Sequence, residues 1–179
     1  MHVTTSTPED LAARVVKRAL LRGTFTLRSG AVSNVYFDKY RFESDPLLLA
    51  EITRSMAARL PPGADMLAGL EMGGIPVATM LGQQTGLPVV FVRKKAKDYG
   101  TCQLAEGGEI SGKKLIVVED VVTSGGQILL SVAELRALGA VISDVVCVID
   151  RESGGAESLA REGLRLHALF TMSELMKNA

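Results

Sequence analysis

The stretch VVEDVVTSGG at residues 117–126 decides what kind of sheet and what kind of site this chain can form. Its apolar start is typical of a buried strand, which is expected to end at two carboxylates, Glu119 and Asp120. Thr123, Ser124 and two glycines follow, where a helix is expected to begin. In an open α/β sheet, ligands bind beyond the carboxyl ends of the strands. The stretch therefore predicts a ligand site at the end of a parallel strand.

The glycine turn in this stretch suits a phosphate. Gly125 and Gly126 let backbone N–H groups approach an anion closely, and the dipole of the following helix favours negative charge. A plain strand-to-helix turn with Ser124 as the N-cap is equally compatible with this spacing. The paired acids favour a ligand, because two carboxylates at a strand end cost stability unless a partner uses them. A ribose diol and Mg²⁺ are the natural partners.

The rest of the chain repeats the strand-and-helix alternation. Apolar strands are predicted at 66–70, 88–93, 114–120, 141–150 and 165–171. Helices are predicted at 8–21, about 44–60, from about 75, 126–138, 156–162 and after a capping box at 171–174. Near-continuous Val, Ile and Leu strands separated by helices indicate an α/β fold. Its central, mostly parallel sheet should be covered by helices on both faces.

The segment KKAKDYGTCQLAEGGEISG at residues 94–112 breaks this alternation. It has no sustained period and contains four glycines, and RKKAK at 93–97 puts four cations in five residues. A loop this long inside a compact domain is usually functional or mobile. The segment therefore suits a cationic loop that closes over an anionic ligand, with a solvated basic patch as the alternative.

Composition excludes several classes of protein. The 179 residues fit one domain, and 47% are apolar, which is enough for a sizeable core. Twenty basic residues balance twenty acidic ones, which argues against a general nucleic-acid binder. Two cysteines without a CxxC partner argue against a disulfide framework and favour a reducing compartment. With neither a signal peptide nor a convincing membrane span, we expect a cytoplasmic protein without nucleic-acid or membrane partners.

VVEDVVTSGG resembles the stretch with which type I phosphoribosyltransferases bind phosphoribosyl pyrophosphate (PRPP). Four further stretches, in the family's order, narrow the resemblance to the orotate phosphoribosyltransferases. They are FTLRSGAVSNVYFD (25–38), GLEMGGIPVA (69–78), VRKKAKDYG (92–100) and IDR (149–151). The resemblance implies a single phosphoribosyltransferase domain of the type I phosphoribosyltransferase fold. A small N-terminal hood would cover about residues 1–42, and a mobile catalytic loop about residues 94–112.

The resemblance divides PRPP among three groups of residues. Glu119 and Asp120 would contact the ribose hydroxyls and, with Lys97, form the catalytic set. The residues assigned to the ribose phosphate follow the acids: Val121, Val122, Thr123, Ser124, Gly125, Gly126 and Gln127. The residues assigned to the diphosphate side are Arg28, Met72, Gly73, Arg93, Lys94, Lys97 and Tyr99.

The resemblance also implies a base site, a metal and a dimer. Orotate would contact four residues: Tyr36, Phe37, Thr123 and Arg151. Mg²⁺ would be held mainly by the substrate diphosphate, with water-mediated contact to Glu119 or Asp120 left open. The loop at 94–112 would be contributed across a homodimer, so that Lys94, Lys97 and Tyr99 reach the neighbour's site.

Three positions depart from the family's pattern. Arg28 stands where Lys is common, which keeps the charge but changes the donor geometry. Tyr99 stands where His is common, and an unperturbed phenol with a pKa of about 10 could only donate a hydrogen bond. Gly73 stands where some relatives carry Lys, so that charge is missing here.

The implied reaction joins orotate to PRPP and gives orotidine 5′-monophosphate and pyrophosphate, a step of UMP synthesis. A purine- or xanthine-type phosphoribosyltransferase is the closest alternative, because the 117–126 stretch would look much the same. A non-catalytic regulator that senses PRPP is the alternative from another class. It should carry a basic nucleic-acid face, which the zero net charge does not support.

Overall fold

Five parallel strands form the centre of the molecule, with one short antiparallel strand at the edge. The computed structural model describes residues 8–26, 30–95 and 104–179. The strands are β1 (Leu20–Thr26), β2 (Val32–Phe37), β3 (Met66–Leu70), β4 (Val89–Val92), β5 (Ala105–Glu106), β6 (Lys114–Val122), β7 (Val141–Asp150) and β8 (Arg165–Thr171). The helices are α1 (Pro8–Ala19), α2 (Tyr40–Glu43), α3 (Pro46–Ala57), α4 (Gly74–Thr85), α5 (Gly126–Ala137), α6 (Gly155–Arg161) and α7 (Met172–Met176).

Strand β6 lies inside the sheet, whose order is β5-β4-β3-β6-β7-β8. All five residues of β3 are buried, and β7 has six consecutive buried residues at 144–149. Unbroken buried runs are what strands need when helices cover both faces. The predicted α/β fold with a mostly parallel sheet is therefore confirmed.

The two faces of the sheet carry separate hydrophobic cores. On one face, α1, α3, α4 and α7 pack against the sheet, with Ile52 and Val77 fully buried. On the other face, α5 and α6 pack against it through residues such as Leu135 and Leu159. This three-layer arrangement leaves the carboxyl ends of β3, β6 and β7 together at one edge, where the polar residues of the 117–126 stretch lie.

A hairpin of β1 and β2 forms a second, two-stranded antiparallel sheet. At the open end of the hairpin, the N–H of Asp38 donates to the carbonyl of Ala19 at 2.9 Å. Helix α2 follows at once and inserts the fully buried ring of Phe42 into the core. The hairpin is thereby attached to the main sheet, in the region predicted to form a hood.

Element boundaries differ from the sequence prediction in a few places. Strand β6 runs to Val122, so Glu119 and Asp120 lie inside the strand and not at its end. The physical reason is the pairing with β7, which continues through Val121 and Val122. Helix α1 ends two residues early because β1 begins at residue 20, and α2 and β5 were not predicted.

Part of the segment predicted to be a loop is packed structure. Leu104, Ala105 and Ile110 are buried, and Ala105 pairs with Val92 of β4. The prediction of one continuous loop over 94–112 is therefore wrong for its second half, because apolar residues there complete the edge of the sheet. Residues 96–103 lie outside the described residues.

Candidate active site

The carboxylates of Glu119 and Asp120 are held by hydrogen bonds to their own strand. Asp120 is 1% exposed, and its Oδ1 accepts a hydrogen bond from the N–H of Val121 at 2.7 Å. Oε1 of Glu119 accepts one from the N–H of Asp120 at 3.0 Å. Because both partners are local backbone groups, the acids are oriented before any ligand arrives.

The turn after β6 is built on Gly125. This residue has a φ of 77° and is the N-cap of α5, with no side-chain hydrogen bond closing the cap. A left-handed conformation of this kind favours glycine. The alternative of a plain turn capped by Ser124 is therefore wrong, and the first N–H groups of α5 are not satisfied by a side-chain cap. A phosphate is the kind of ligand that such N–H groups bind.

The backbone at residues 73–74 packs closely against Asp120 and Val118, and the backbone at residue 155 packs against the turn at Thr123. A Cβ at residue 73 would overlap the Asp120 carboxylate, and one at residue 74 would overlap the carbonyl of Val118. On the other side, a Cβ at residue 155 would overlap the carbonyl of Thr123. Glycine at these positions thus lets three chain segments meet. Met72, next to Gly73, is 58% exposed, and the peptide bond before it is cis.

A cavity of about 490 Å³ opens beside the acids. All four residues predicted for the base line it, namely Tyr36, Phe37, Thr123 and Arg151. Met172 and Met176 form another part of its wall. Met172 packs partly against the core, but Met176 is 41% exposed. The cavity therefore has apolar and aromatic walls with Arg151, Lys39 and Asp38 among them, and the two cations suit a planar anion.

Two residues that the sequence analysis missed contact Asp120 from α2. The ammonium of Lys39 lies against Oδ2 of Asp120, and it also lies 5.1 Å from the ring centre of Tyr40. Glu43 is the second, since its carboxyl lies close enough to Asp120 for the charge of Asp120 to contribute to a raised pKa of Glu43. A Lys and a Glu four residues apart usually indicate a solvated helical pair. No sequence signal tied either residue to the strand.

Burial and mutual contact shift the pKa values of the acids in this cluster in different directions. Burial raises the pKa of Glu119 to about 9, and the hydrogen bond with Asp120 and the charge of Asp120 add to the effect. The pKa of Glu43 also rises to about 9 for the same reasons. Burial would raise the pKa of Asp120 too, but hydrogen bonds from Glu119, Glu43 and Lys39 outweigh it and lower that pKa. The negative charge is therefore concentrated on Asp120.

Comparison with known proteins decides the family. The model of the phosphoribosyl transferase domain matches residues 45–165. An orotate phosphoribosyltransferase of Nocardioides sp. is 49% identical over 165 residues, which are 92% of each chain. The chain belongs to the orotate phosphoribosyltransferase family. Its members are pentosyltransferases, so this protein is an enzyme of that class.

Solved structures of the same family share this fold. The orotate phosphoribosyltransferase of Mycobacterium tuberculosis in complex with Fe(III) dicitrate has a TM-score of 0.86 and 32% identity, covering 94% of this chain and 98% of that chain. The same M. tuberculosis enzyme in complex with PRPP has a TM-score of 0.82 and 30% identity, with the same coverage. The predicted type I phosphoribosyltransferase fold is confirmed.

Arg151 of this orotate phosphoribosyltransferase family member lies just beyond β7. Its N–H donates to the carbonyl of Val122 at 2.9 Å. Glu152 does not direct its carboxylate to Arg151, because that carboxylate accepts two hydrogen bonds from Ser173, from N–H and from Oγ, both at 2.8 Å. Glu152 therefore links this turn to α7.

The remaining predicted residues fall into three groups. Arg93 and Lys94 lie where β4 ends, and the N–H of Arg93 donates to the carbonyl of Leu104 at 2.9 Å. Val122 has a buried side chain, so only its backbone could meet a ligand. Three predicted residues lie outside the described residues: Arg28, Lys97 and Tyr99.

The described part of the chain has neither a cluster of three metal-ligating side chains nor a helix able to span a membrane. There, no group of three His, Cys, Asp or Glu side chains is arranged to hold a metal ion. No helix in residues 8–26, 30–95 or 104–179 is long and apolar enough to cross a membrane.

Proposed function

We propose that this enzyme transfers ribose 5-phosphate from PRPP to orotate, giving orotidine 5′-monophosphate and pyrophosphate for UMP synthesis. One observation carries the proposal. The acid pair of β6, of which Asp120 is buried, the glycine turn of α5 and the cavity lined by Arg151 meet at one edge of the sheet. Family membership supports the same reaction, since the Nocardioides relative is named an orotate phosphoribosyltransferase.

The ribose hydroxyls of PRPP would meet Asp120 and Glu119. An ionised Asp120 accepts hydrogen bonds only, so it suits a hydroxyl donor. Glu119, whose pKa is raised to about 9, would be neutral near pH 7 and could both donate and accept. Breaking the bond at the ribose C1 gives the sugar positive charge, and the charge on Asp120 would stabilise it.

The phosphate and the base would occupy opposite sides of the acids. We assign the 5-phosphate to the N–H groups and hydroxyls of residues 123–127, with backbone contacts from Val121 and Val122. We assign orotate to the cavity, where Arg151 can pair with its carboxylate and Tyr36 and Phe37 can stack on its ring. Thr123 lies between the two sites and would contact both.

The leaving pyrophosphate would be bound by cations from outside β6. We assign it to Arg93, Lys94, Lys97 and Tyr99, with Arg28, Met72 and Gly73 beside it. Lys94, Lys97 and Tyr99 would reach the partner subunit of a homodimer. Closure of the first part of the 94–112 segment, up to about residue 103, would exclude water, which otherwise could capture the activated sugar.

Mg²⁺ fits this arrangement as a companion of the substrate. The nearby carboxylates supply hard oxygen atoms, but both already accept backbone hydrogen bonds and Asp120 also contacts Lys39. We therefore propose that the diphosphate oxygens hold the ion, with no direct protein ligand. When bound, Mg²⁺ would withdraw negative charge from the leaving group.

We further propose a single cytoplasmic domain with a hood at about residues 1–42. An assay of pyrophosphate release tests the function directly. PRPP and Mg²⁺ with orotate should release pyrophosphate, whereas hypoxanthine, xanthine and adenine in place of orotate should not. Release with a purine base only would favour the purine-type alternative. Binding of PRPP without release on any base would favour the sensor.

A further inference from the structure

Side chains of the short helix α2 and its N-cap, outside the main sheet, approach the buried carboxylate of Asp120. The ammonium of Lys39, at the N-cap of α2, lies against Oδ2 of Asp120. Glu43, at the end of the same helix, places Oε1 in the interior, where the described residues give it no conventional hydrogen-bond partner. A buried carboxyl oxygen without a full set of partners costs free energy, so its place beside Asp120 needs a reason.

The geometry of α2 explains how both side chains reach the same acid. Lys39 and Glu43 are four residues apart and therefore lie on one face of a helical turn. Phe42 is fully buried and fixes the helix to the core. The charged face of α2 is thus held against β6 by apolar packing and not by the ion pair alone.

The surroundings of Asp120 leave its carboxylate few other supports. Gly73 adds no side chain, and any Cβ there would collide with that carboxylate. Oδ1 is bound to the N–H of Val121, which leaves Oδ2 to Lys39. About a third of the Lys39 side chain is exposed, on the wall of the cavity, so the contact lies at the boundary between the core and the site.

We propose that Lys39 and Glu43 are positioning residues for Asp120, which hold its carboxylate where the ribose hydroxyls of PRPP meet it. The inference rests on the proposed function, because it gives these residues a part in PRPP binding. Lys39 also supplies a positive charge beside the position where Gly73 carries none. A neutral Glu43 carboxyl would donate to Asp120, whose Oδ2, like Oε1 of Glu43, is buried without a conventional hydrogen-bond partner among the described residues.

Steady-state kinetics of the full-length protein test this inference. Lys39→Met should lower kcat/KM for PRPP about 100-fold, mostly through KM. Removing the ammonium leaves the buried carboxylate of Asp120 without its charged partner. The KM for orotate should change less than about threefold. Lys39→Arg keeps the charge and should recover at least about tenfold of the loss, a recovery that a purely steric role would not give.

Variants of Glu43 test the second residue. Glu43→Gln keeps a neutral donor of the same size and should retain most of the activity, whereas Glu43→Ala should raise the KM for PRPP about tenfold. Thermal unfolding of every variant separates misfolding from mispositioning. Lys113→Met, which removes an exposed lysine at the opposite end of β6, is the matched control and should behave like the parent.

Three outcomes would overturn the inference while leaving the proposed function intact. The parent must release pyrophosphate with orotate; if it does not, the proposed function itself fails. If the parent is active and Lys39→Met has the same kinetics as Lys113→Met, Lys39 does not position Asp120. A change confined to the KM for orotate would show that Lys39 acts at the orotate site and not at the PRPP site. Equal losses in Glu43→Gln and Glu43→Ala remove the donor role of Glu43.

Discussion

The carboxyl end of β6 and the β2–α2 segment face the same site but are built in opposite ways. β6 is paired on both sides, by β3 and β7, and six of its nine residues are buried. β2 pairs with β1 in a separate hairpin, and none of its six residues is buried. The acids of β6 are thus oriented by their own backbone, whereas Lys39 and Tyr36 are placed by the packing of one small unit against a larger one.

This difference teaches where function depends on a local motif and where it depends on tertiary packing. On β6 the ligand groups, the turn and the helix that follows are contiguous in sequence. On the hood side, the fully buried ring of Phe42, packed in the same core as α1, holds a charged helical face in place. We therefore expect the largest losses of activity from changes at β6 and smaller, graded losses from changes on the surrounding walls.

Asp120→Asn should have the largest effect. The substitution keeps the size of the side chain but removes the charge that faces the ribose and pairs with Lys39. We expect kcat/KM for PRPP to fall about 1,000-fold with the fold preserved. Pyrophosphate release and circular dichroism measure the two quantities. Near-parental turnover would contradict the ribose role of Asp120.

Gly73→Ala should follow, with a loss of about 100-fold in kcat/KM for PRPP. The added Cβ would overlap the Asp120 carboxylate, so the acid must move away from its position. Gly108→Ala is the matched control, because its Cβ would meet the flexible end of Met66 at 3.1 Å and Cγ1 of Val90 at an ordinary 4.0 Å. If both alanine variants are equally active, the close approach of residue 73 to Asp120 is not needed for function.

The sequence predicted the sheet well because its signals are local. Continuous Val and Ile runs identify β6 and β7, and the Thr171 capping box is present as predicted. The glycine turn was recognisable for the same reason. The extension of β6 through Val122 could not be foreseen, since it depends on pairing with β7 and not on the residues of β6 alone.

The missed parts of the site share one physical cause. Lys39 and Glu43 gain their meaning only when α2 lies against β6, a contact between segments about 80 residues apart. Met176 lines the cavity because α7 is short and ends beside it. Spacing within one helix cannot say which neighbour that helix will meet.

The pH dependence of stability tests the acid cluster itself. Glu43 and Glu119 have folded-state pKa values raised to about 9 from 4.5, so the folded protein binds more protons than the unfolded chain between these values. Stability is then highest at the acidic end of this window and falls as pH rises towards 9. The lowered pKa of Asp120 acts only near and below 3.8 and does not change this sign.

Urea unfolding without substrate or Mg²⁺, from pH 6 to pH 9, measures this slope. Each of the two acids contributes at most about 1.4 kcal/mol per pH unit, a factor of ten in the unfolding equilibrium. Glu43→Gln cannot titrate, so its slope should be shallower than that of the parent. A parental slope in this variant would mean that Glu43 is already ionised at neutral pH.

Ser173→Ala should have the smallest effect, because it weakens the attachment of α7 to the turn after β7 and does not touch Glu119 or Asp120. The change removes the Oγ hydrogen bond to Glu152 but keeps the one from N–H, so the turn of Arg151 stays partly attached to α7. We expect the KM for orotate to rise about threefold, with the KM for PRPP unchanged. Ser158→Ala, which removes a 2.8 Å hydrogen bond to the carbonyl of Gly154 at the N-cap of α6, is the control. Equal effects of the two variants on orotate, or a larger effect on PRPP, would show that α7 does not shape the base cavity through Glu152.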